Sequence, residues 1–312
     1  MKKLLILSGK GGTGKTTTAA SFIRFGNAKA MADCDVDAPN LHIVTSMKTE
    51  PQEIDFMGSD KAFIDSEKCI GCGKCIEHCR FNAIKLENGR CRIEEHACEG
   101  CGVCNYVCPV NAAGMQKDVA GTRYVYNENG NVFSTAKLKM GRGNSGKLVT
   151  EVKYDMIKNA VNGDIAIVDG SPGIGCPVIA SVSGMDMVLI VAEPSLSGLS
   201  DLERLVHTAS ILQVKVAVCI NKCDNSPEKT AEIEEFCKRE NVAFVGKIPY
   251  DKKASEAINT GKSLATFDII ELLSTEVGTE TCFSNHIIAI SHSQLSSQHR
   301  VTTVSNISKG PP

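Results

Sequence analysis

Ten residues near the amino terminus constrain this chain more than any other stretch: Ser8-Gly9-Lys10-Gly11-Gly12-Thr13-Gly14-Lys15-Thr16-Thr17. They follow the short apolar run Leu4-Leu5-Ile6-Leu7 and precede a segment, Thr16 to about Phe25, that reads as a helix. Strand, glycine loop and helix, in that order, are the context a phosphate-binding loop requires. Gly9, Gly11, Gly12 and Gly14 let backbone N–H groups turn inward and close on phosphate oxygens, where side chains would obstruct. Lys15 can reach β- and γ-phosphates, Thr16 offers a hydroxyl to Mg²⁺, and the helix N-terminus favours an anion. Thr13 and Thr17 complete the expected nucleotide-binding set.

The second lysine, Lys10, sits inside the loop and gives Gly-Lys-Gly-Gly-Thr-Gly-Lys-Thr-Thr. This resembles the deviant Walker A motif of the MinD/ParA family, which includes the nitrogenase iron protein and the arsenite-pump ATPases. The resemblance implies a mostly parallel α/β sheet and ATP-controlled dimerisation, with Lys10 reaching across a nucleotide sandwich to the partner's phosphates. The partner is then a second copy of the chain or a related ATPase in a pseudo-dimer.

Further along, Ala28 to Asp33 reads as a strand closing on Asp33-Cys34-Asp35. Acidic residues at the carboxyl end of a strand beside the phosphate loop lie where Mg²⁺ and an attacking water belong. With Asn40-Leu41 following, the segment looks like the family's switch I, which implies that Asp35 orients or activates water and Asp33 supports it. For Asp37 and Asn40, turn and helix capping is the plainer reading. Ile165-Ala166-Ile167-Val168-Asp169 and Gly170-Ser171-Pro172-Gly173 match the Walker B and switch II arrangement, so Asp169 joins Thr16 as an expected Mg²⁺ residue. Lys10, Lys15 and Asp35 form the expected catalytic set. Asn221-Lys222-Cys223-Asp224 admits two readings. The resemblance makes Asn221 an adenine contact, whereas the same four residues also look like the guanine-reading motif of GTPases; the Lys10 signature favours ATP.

Fifteen cysteines need a separate explanation. Neither the formal charge of −2 nor any apolar run points to nucleic acid or a membrane span. Met1-Lys2-Lys3 imitates the start of a signal peptide, but the apolar run behind it is short and enters the phosphate loop directly, so a cytoplasmic location is expected. In that setting cysteines suggest metal or redox sites rather than disulfides.

Their spacing supports this. Cys69, Cys72, Cys75 and Cys79 follow Cys-x2-Cys-x2-Cys-x3-Cys, and Cys98, Cys101, Cys104 and Cys108 repeat it, the last followed by Pro109. The halves also match between cysteines, Phe81-Asn82-Ala83-Ile84 against Val110-Asn111-Ala112-Ala113. Two such halves resemble the bacterial ferredoxin with two [4Fe–4S] clusters. Three thiolates of a run wrap one cluster and the fourth comes from the opposite half. The expected ligand sets are therefore Cys69, Cys72, Cys75 and Cys108 for one cluster, and Cys79, Cys98, Cys101 and Cys104 for the other. Zinc is the competing reading, and two repeated four-cysteine runs fit it poorly. Arg80 stands where the motif usually has proline, a departure that bears on rigidity or potential and not on ligation. Cys91 reads as structural. Cys176 holds a position similar to a cluster-ligating cysteine of the nitrogenase iron protein, but no partner cysteine for a bridging cluster is evident; Cys219, Cys223 and Cys237 read as inert thiols.

The remaining pattern predicts a hairpin around Asn129-Gly130, a loop from Gly141 to Gly146 and a helix from Lys147 to about Val161. Asn144-Ser145-Gly146-Lys147 lacks a preceding strand and the spacing of a second phosphate loop. Met187–Ala192, Val214–Ile220 and Ala243–Pro249 read as strands; Leu199–Leu212, Ser226–Glu240 and Lys252–Thr260 read as helices. The organisation expected is a discontinuous ATPase domain, residues 1–48 and 119–273, interrupted by an α+β ferredoxin-like domain at 49–118. An atypical tail follows at 274–312, whose His286, His292 and His299 lack a ligand spacing. Function reads as ATP hydrolysis gating electron transfer through two clusters to a redox protein. The alternatives are an iron–sulfur carrier serving an apo-acceptor, and a nucleotide-dependent scaffold or sensor.

Overall fold

The computed structural model describes residues 1–45, 47–161 and 163–251. The expected helix at 252–260, the tail at 274–312 and its histidines lie outside them.

The chain opens with β1 (Lys2–Leu7), α1 (Lys15–Phe25), β2 (Ala30–Asp33) and a single helical turn, α2 (His42–Thr45). Next come β3 (Gln52–Met57), β4 (Lys61–Ile64), α3 (Lys74–His78), β5 (Ile84–Glu87), β6 (Arg90–Ile93), α4 (Val103–Val107) and β7 (Ala113–Gln116). The long strands β8 (Val119–Glu128) and β9 (Asn131–Leu138) lead to α5 (Ser145–Asn159), β10 (Ile165–Asp169), α6 (Cys176–Val182) and β11 (Met187–Ala192). The described part ends with α7 (Leu196–Ile211), β12 (Lys215–Asn221), α8 (Pro227–Arg239) and β13 (Ala243–Ile248).

Among the described residues one nine-stranded sheet runs β13-β12-β11-β1-β10-β2-β9-β8-β3. From β13 to β9 the pairing is parallel, as strand–helix–strand connections require, and β8 and β3 add an antiparallel edge. Because side chains alternate along a strand, β1 feeds two cores: Leu5 and Leu7 face α5 and α7, while Leu4 and Ile6 face Ala19 and Ala20 of α1. Burial on both faces explains why β1 and β11 are continuous apolar runs rather than alternating ones.

The Asn129-Gly130 hairpin forms as expected, with both residues at positive φ and Glu128 opposite Asn131. It extends the large sheet by pairing β9 with β2. One expected boundary shifts. Strand β3 falls inside the stretch assigned to the inserted domain, 49–118, yet it pairs with β8 at the edge of the large sheet.

Beyond β3 the chain builds a small module from two two-stranded pairs, β4 with β7 and β5 with β6, and the five-residue helices α3 and α4. Its buried core is Ala62, Ala83, Ile84 and Ala113 with Cys75, Cys91, Cys98 and Cys104. Half of these residues are cysteines, so this interior is lined with thiols and alanines where a domain of its size would normally put large aliphatic side chains.

The module is tied to the sheet by polar contacts. The Arg142 guanidinium donates to the Glu95 carbonyl and pairs with Asp118 at 3.0 Å. Asn144 donates to Ser59, and Lys147 to the Met57 carbonyl at 2.9 Å.

Candidate functional site

The phosphate loop joins the end of β1 to α1 in the centre of the sheet. Gly14 enters the helix with φ +94°, and a Cβ there would lie 2.3 Å from the Asn221 amide, so any other residue would be strained and crowded. Strand β10, parallel to β1, brings Asp169 beneath the loop. Lys15 Nζ lies 2.6 Å from Asp169 Oδ1, and Thr16 Oγ1 donates to Asp169 Oδ2 at 2.7 Å. Both members of the ion pair are buried. Burial raises the Asp169 carboxyl above the usual carboxylate range, and Lys15 and Thr16 oppose that rise. Buried Thr13 Oγ1 has no hydrogen-bond partner within the protein, an orphaned polar atom inside a loop suited to an anion.

Beside them, Asp33 ends β2. Its carboxylate accepts the N–H groups of Asp35, Asn40 and Leu41 at 2.8 to 3.0 Å, closing the following loop. Burial and the neighbouring Asp169 charge push its carboxyl up to about 7, against those N–H groups and Lys15. Capping expected of Asp37 and Asn40 is thus performed by Asp33, with Asn40 as a donor. Asp35 is half-buried, and burial raises its carboxyl too. The two loops after β2 and β10 are joined where Cys34 N–H donates to the Asp169 carbonyl at 2.8 Å and Ser171 Oγ donates to the Cys34 carbonyl.

On the other side, Asn221 Nδ2 donates to the Thr13 carbonyl at 2.7 Å, and Lys222 Nζ to the Gly12 carbonyl at 2.9 Å. Lys10 turns back within its own chain, to Glu193 at 2.9 Å, and Lys222 reaches the same carboxylate at 3.3 Å. Burial pushes the Glu193 carboxyl up, but the two lysines outweigh it and leave the group below its ordinary value. Glu193 and Asp201, whose side chain lies against Gly9, are absent from the expected site. The available signal was position: Glu193 directly follows β11, a strand that neighbours β1.

The eight repeated cysteines gather in two chambers. One is lined by Cys69, Cys72, Cys75 and Cys108; the other by Cys79, Cys98, Cys101 and Cys104. In each, three thiols come from one run and the fourth from the other half. Free volumes, counting the open mouths, are about 320 and 340 Å³. Among the described residues no group of three or more His, Cys, Asp or Glu converges on a point that could hold a single metal ion; the thiols line walls instead. Backbone N–H groups point at the sulfurs: Ala83 to Cys79 and Cys91 to Cys69 at 3.4 Å, Gly100 to Cys98 at 3.4 Å, Ala112 to Cys108 at 3.2 Å. The Cys91 N–H, followed by that of Gly71, lowers the Cys69 thiol despite burial, while burial pushes Cys75 up to about 12. Buried Lys61 donates to the Cys98 carbonyl.

Cys91, read as structural, forms part of the first chamber's wall. Cys176 is exposed at the first residue of α6. Burial pushes Cys219 to about 12 and Cys237 to about 11, which holds both as unreactive thiols. No helix among the described residues is long and apolar enough to cross a membrane.

Comparison with known proteins bears on both sites. An uncharacterized protein of Methanocaldococcus jannaschii is 34% identical over 225 residues, 70% of this chain and 78% of the relative. The iron–sulfur cluster carrier protein of Pyrococcus horikoshii is 30% identical over 139 residues, 39% of this chain and 46% of its own. Ferredoxin-2 of Desulfomicrobium norvegicum is 48% identical over 27 residues, 9% of this chain and 46% of its own. Among solved structures, the septum site-determining protein MinD of Pyrococcus horikoshii, complexed with Mg-ADP, superimposes with a TM-score of 0.50 at 15% identity. That match covers 96% of this chain and 99% of the other, a likeness of fold. The CobQ/CobB/MinD/ParA nucleotide-binding domain model matches residues 4–264, and with the loop geometry above it establishes that this chain belongs to that family, as a P-loop ATPase of MinD/ParA type.

Proposed function

We propose that the chain is an ATP-binding iron–sulfur protein in which Mg-ATP hydrolysis, within a nucleotide-sandwich dimer, gates electron transfer through two [4Fe–4S] clusters to a redox protein. The observation that carries this reading is the crossed gathering of thiols: each chamber combines three cysteines of one run with the fourth of the other. Four soft thiol donors around a largely apolar chamber, with N–H groups aimed at sulfur, fit an iron–sulfur cluster. A bound cluster would supply a one-electron centre.

At the other site the donors are hard oxygens, Thr16 Oγ1 and the Asp169 carboxylate, which suit Mg²⁺. Lys15 neutralises phosphate charge, and Asp35 is positioned for the attacking water. Asn221, whose amide donates to the Thr13 carbonyl, contacts the adenine base. Lys10 acts in trans once it leaves Glu193.

Coupling follows from contacts. The loop after β10 leads into α6, whose Cys176 packs against Gly146 at the start of α5. That same end of α5 holds Met57 through Lys147, and Arg142 just before it holds Glu95 and Asp118. A γ-phosphate that reorders the loop after β10 therefore pulls on the base of the thiol module.

A second reading, an ATP-dependent iron–sulfur carrier, is favoured by the partial identity to the Pyrococcus carrier protein. Anaerobic purification with iron and sulfide quantification, and EPR of the dithionite-reduced protein with and without Mg-ATP, separates the two. Electron transfer requires two stable signals that persist through turnover and respond to nucleotide. Clusters that leave for an apo-acceptor during turnover would establish the carrier, and a chain that never takes up iron would defeat both.

A further inference from the structure

The two thiol chambers are related by the internal repeat, and one of the wall positions at which the repeat differs exchanges a methyl group for a thiol. Strands β4 and β6 are equivalents: Ile64 pairs with Ala113 in one half as Ile93 pairs with Ile84 in the other. Two residues back along each strand, on the same face, Ala62 pairs with Met115 and Cys91 with Leu86. Ala62 lines the chamber of Cys79, Cys98, Cys101 and Cys104, and Cys91 lines the chamber of Cys69, Cys72, Cys75 and Cys108. Both are buried, 5% and 6% exposed. One wall position thus carries a methyl group in one chamber and a thiol in the other.

That thiol lies among the predicted ligands. Cys91 packs in the same buried core as Cys75 and shares a chamber wall with Cys69, and its N–H donates to Cys69 Sγ at 3.4 Å. Four thiolates complete the protein ligation of one cluster, so the fifth sulfur is surplus to it. Ligand sulfurs, once deprotonated, accept hydrogen bonds and donate none, whereas a surplus S–H retains a proton to give. A donor to a ligand sulfur stabilises the more negative, reduced state of a cluster and raises its potential.

We propose that Cys91 is a positioning residue, a thiol donor to the ligand sulfur of Cys69, that raises the potential of the cluster in its chamber. This rests on the iron–sulfur reading above. Three variants of the full chain test it after anaerobic reconstitution: Cys91→Ala, Cys91→Ser and Ala62→Cys, each with iron and sulfide counts and an EPR-monitored redox titration. Cys91→Ala is expected to keep its iron and to lower one of the two midpoint potentials, leaving the other in place. Cys91→Ser keeps an O–H donor and should fall closer to the parent, while Ala62→Cys should raise the potential that Cys91→Ala leaves unmoved. Full iron with both potentials unchanged in Cys91→Ala would overturn the proposal. So would loss of half the iron in both Cys91 variants, which would make Cys91 a ligand or an essential wall. A parent chain that binds no iron would remove the iron–sulfur reading itself, and this one with it.

Discussion

The phosphate-loop region and the thiol module place their functional groups in opposite relation to their cores. In the first, Leu4 through Leu7 and their neighbours fill two apolar cores, and Lys15, Thr16 and Asp169 sit on top of them at the carboxyl ends of the strands. In the second, Cys75, Cys98 and Cys104 are themselves part of the core. A site mounted on a core can lose its ligand and leave the fold standing. A site that is part of the core ties folding to occupancy.

The largest expected effect tests that distinction. Iron chelation should open the module to proteolysis between residues 61 and 116 while the nine-stranded sheet keeps its circular dichroism and nucleotide affinity; equal loss in both regions would erase the contrast. Cys75→Ser narrows the test to one chamber and, on the proposed ligation of one cluster per chamber, should remove about half the iron.

Lys15→Ala probes the other region. Turnover of ATP should fall by about 10²-fold or more, as loss of a group that stabilises developing charge commonly does, with iron content unchanged. Equal rates in parent and variant would remove catalysis from the phosphate loop. An effect of similar size, on stability rather than turnover, is expected from Asp169→Ala in the nucleotide-free chain. It leaves the buried Lys15 ammonium without its partner and should cost about 3 kcal/mol in urea unfolding. The smallest is Glu193→Gln. Lys10 is more than a third exposed, so stability should move by less than about 1 kcal/mol, but the freed lysine should lower the ATP concentration needed for dimerisation in sedimentation velocity. An unchanged threshold would show that Glu193 does not restrain Lys10.

What could be read in advance follows the range of each rule. The phosphate loop obeys a local rule, so its residues, the flanking strand and the helix were legible from ten consecutive positions. Spacing and repetition mark the two cysteine runs, and the expectation that their sets cross comes from the ferredoxin resemblance. Glu193 was not legible, since one carboxylate after an apolar strand acquires meaning only when β11 lies beside β1. Strand β3 was hidden for the same reason: its partner in β8 lies some sixty residues on, across the module. Asp33, expected to support Asp35, anchors its own loop through three backbone N–H groups, which the sequence does not reveal. Cys91 lies outside the two cysteine runs, and strand register shows that its equivalent in the other half, Ala62, holds the matching wall position.

The pairing of β3 with β8 has a consequence of its own. The chain leaves the large sheet at Met57 and returns at Val119, residues that face each other, and Gly58 N–H donates to the Asp118 carbonyl at 3.1 Å. A Cβ on Gly58 would lie 2.6 Å from that of Ala120, so the crossing is close. Everything between is a cassette clipped into a hairpin. Its two ends are already neighbours, and joining them directly by a tight turn would leave an unbroken antiparallel edge. The same doubled attachment makes a poor swivel, because two hydrogen-bonded strands resist twisting far better than one peptide tether. Whatever motion the cassette makes, the sheet edge turns with it.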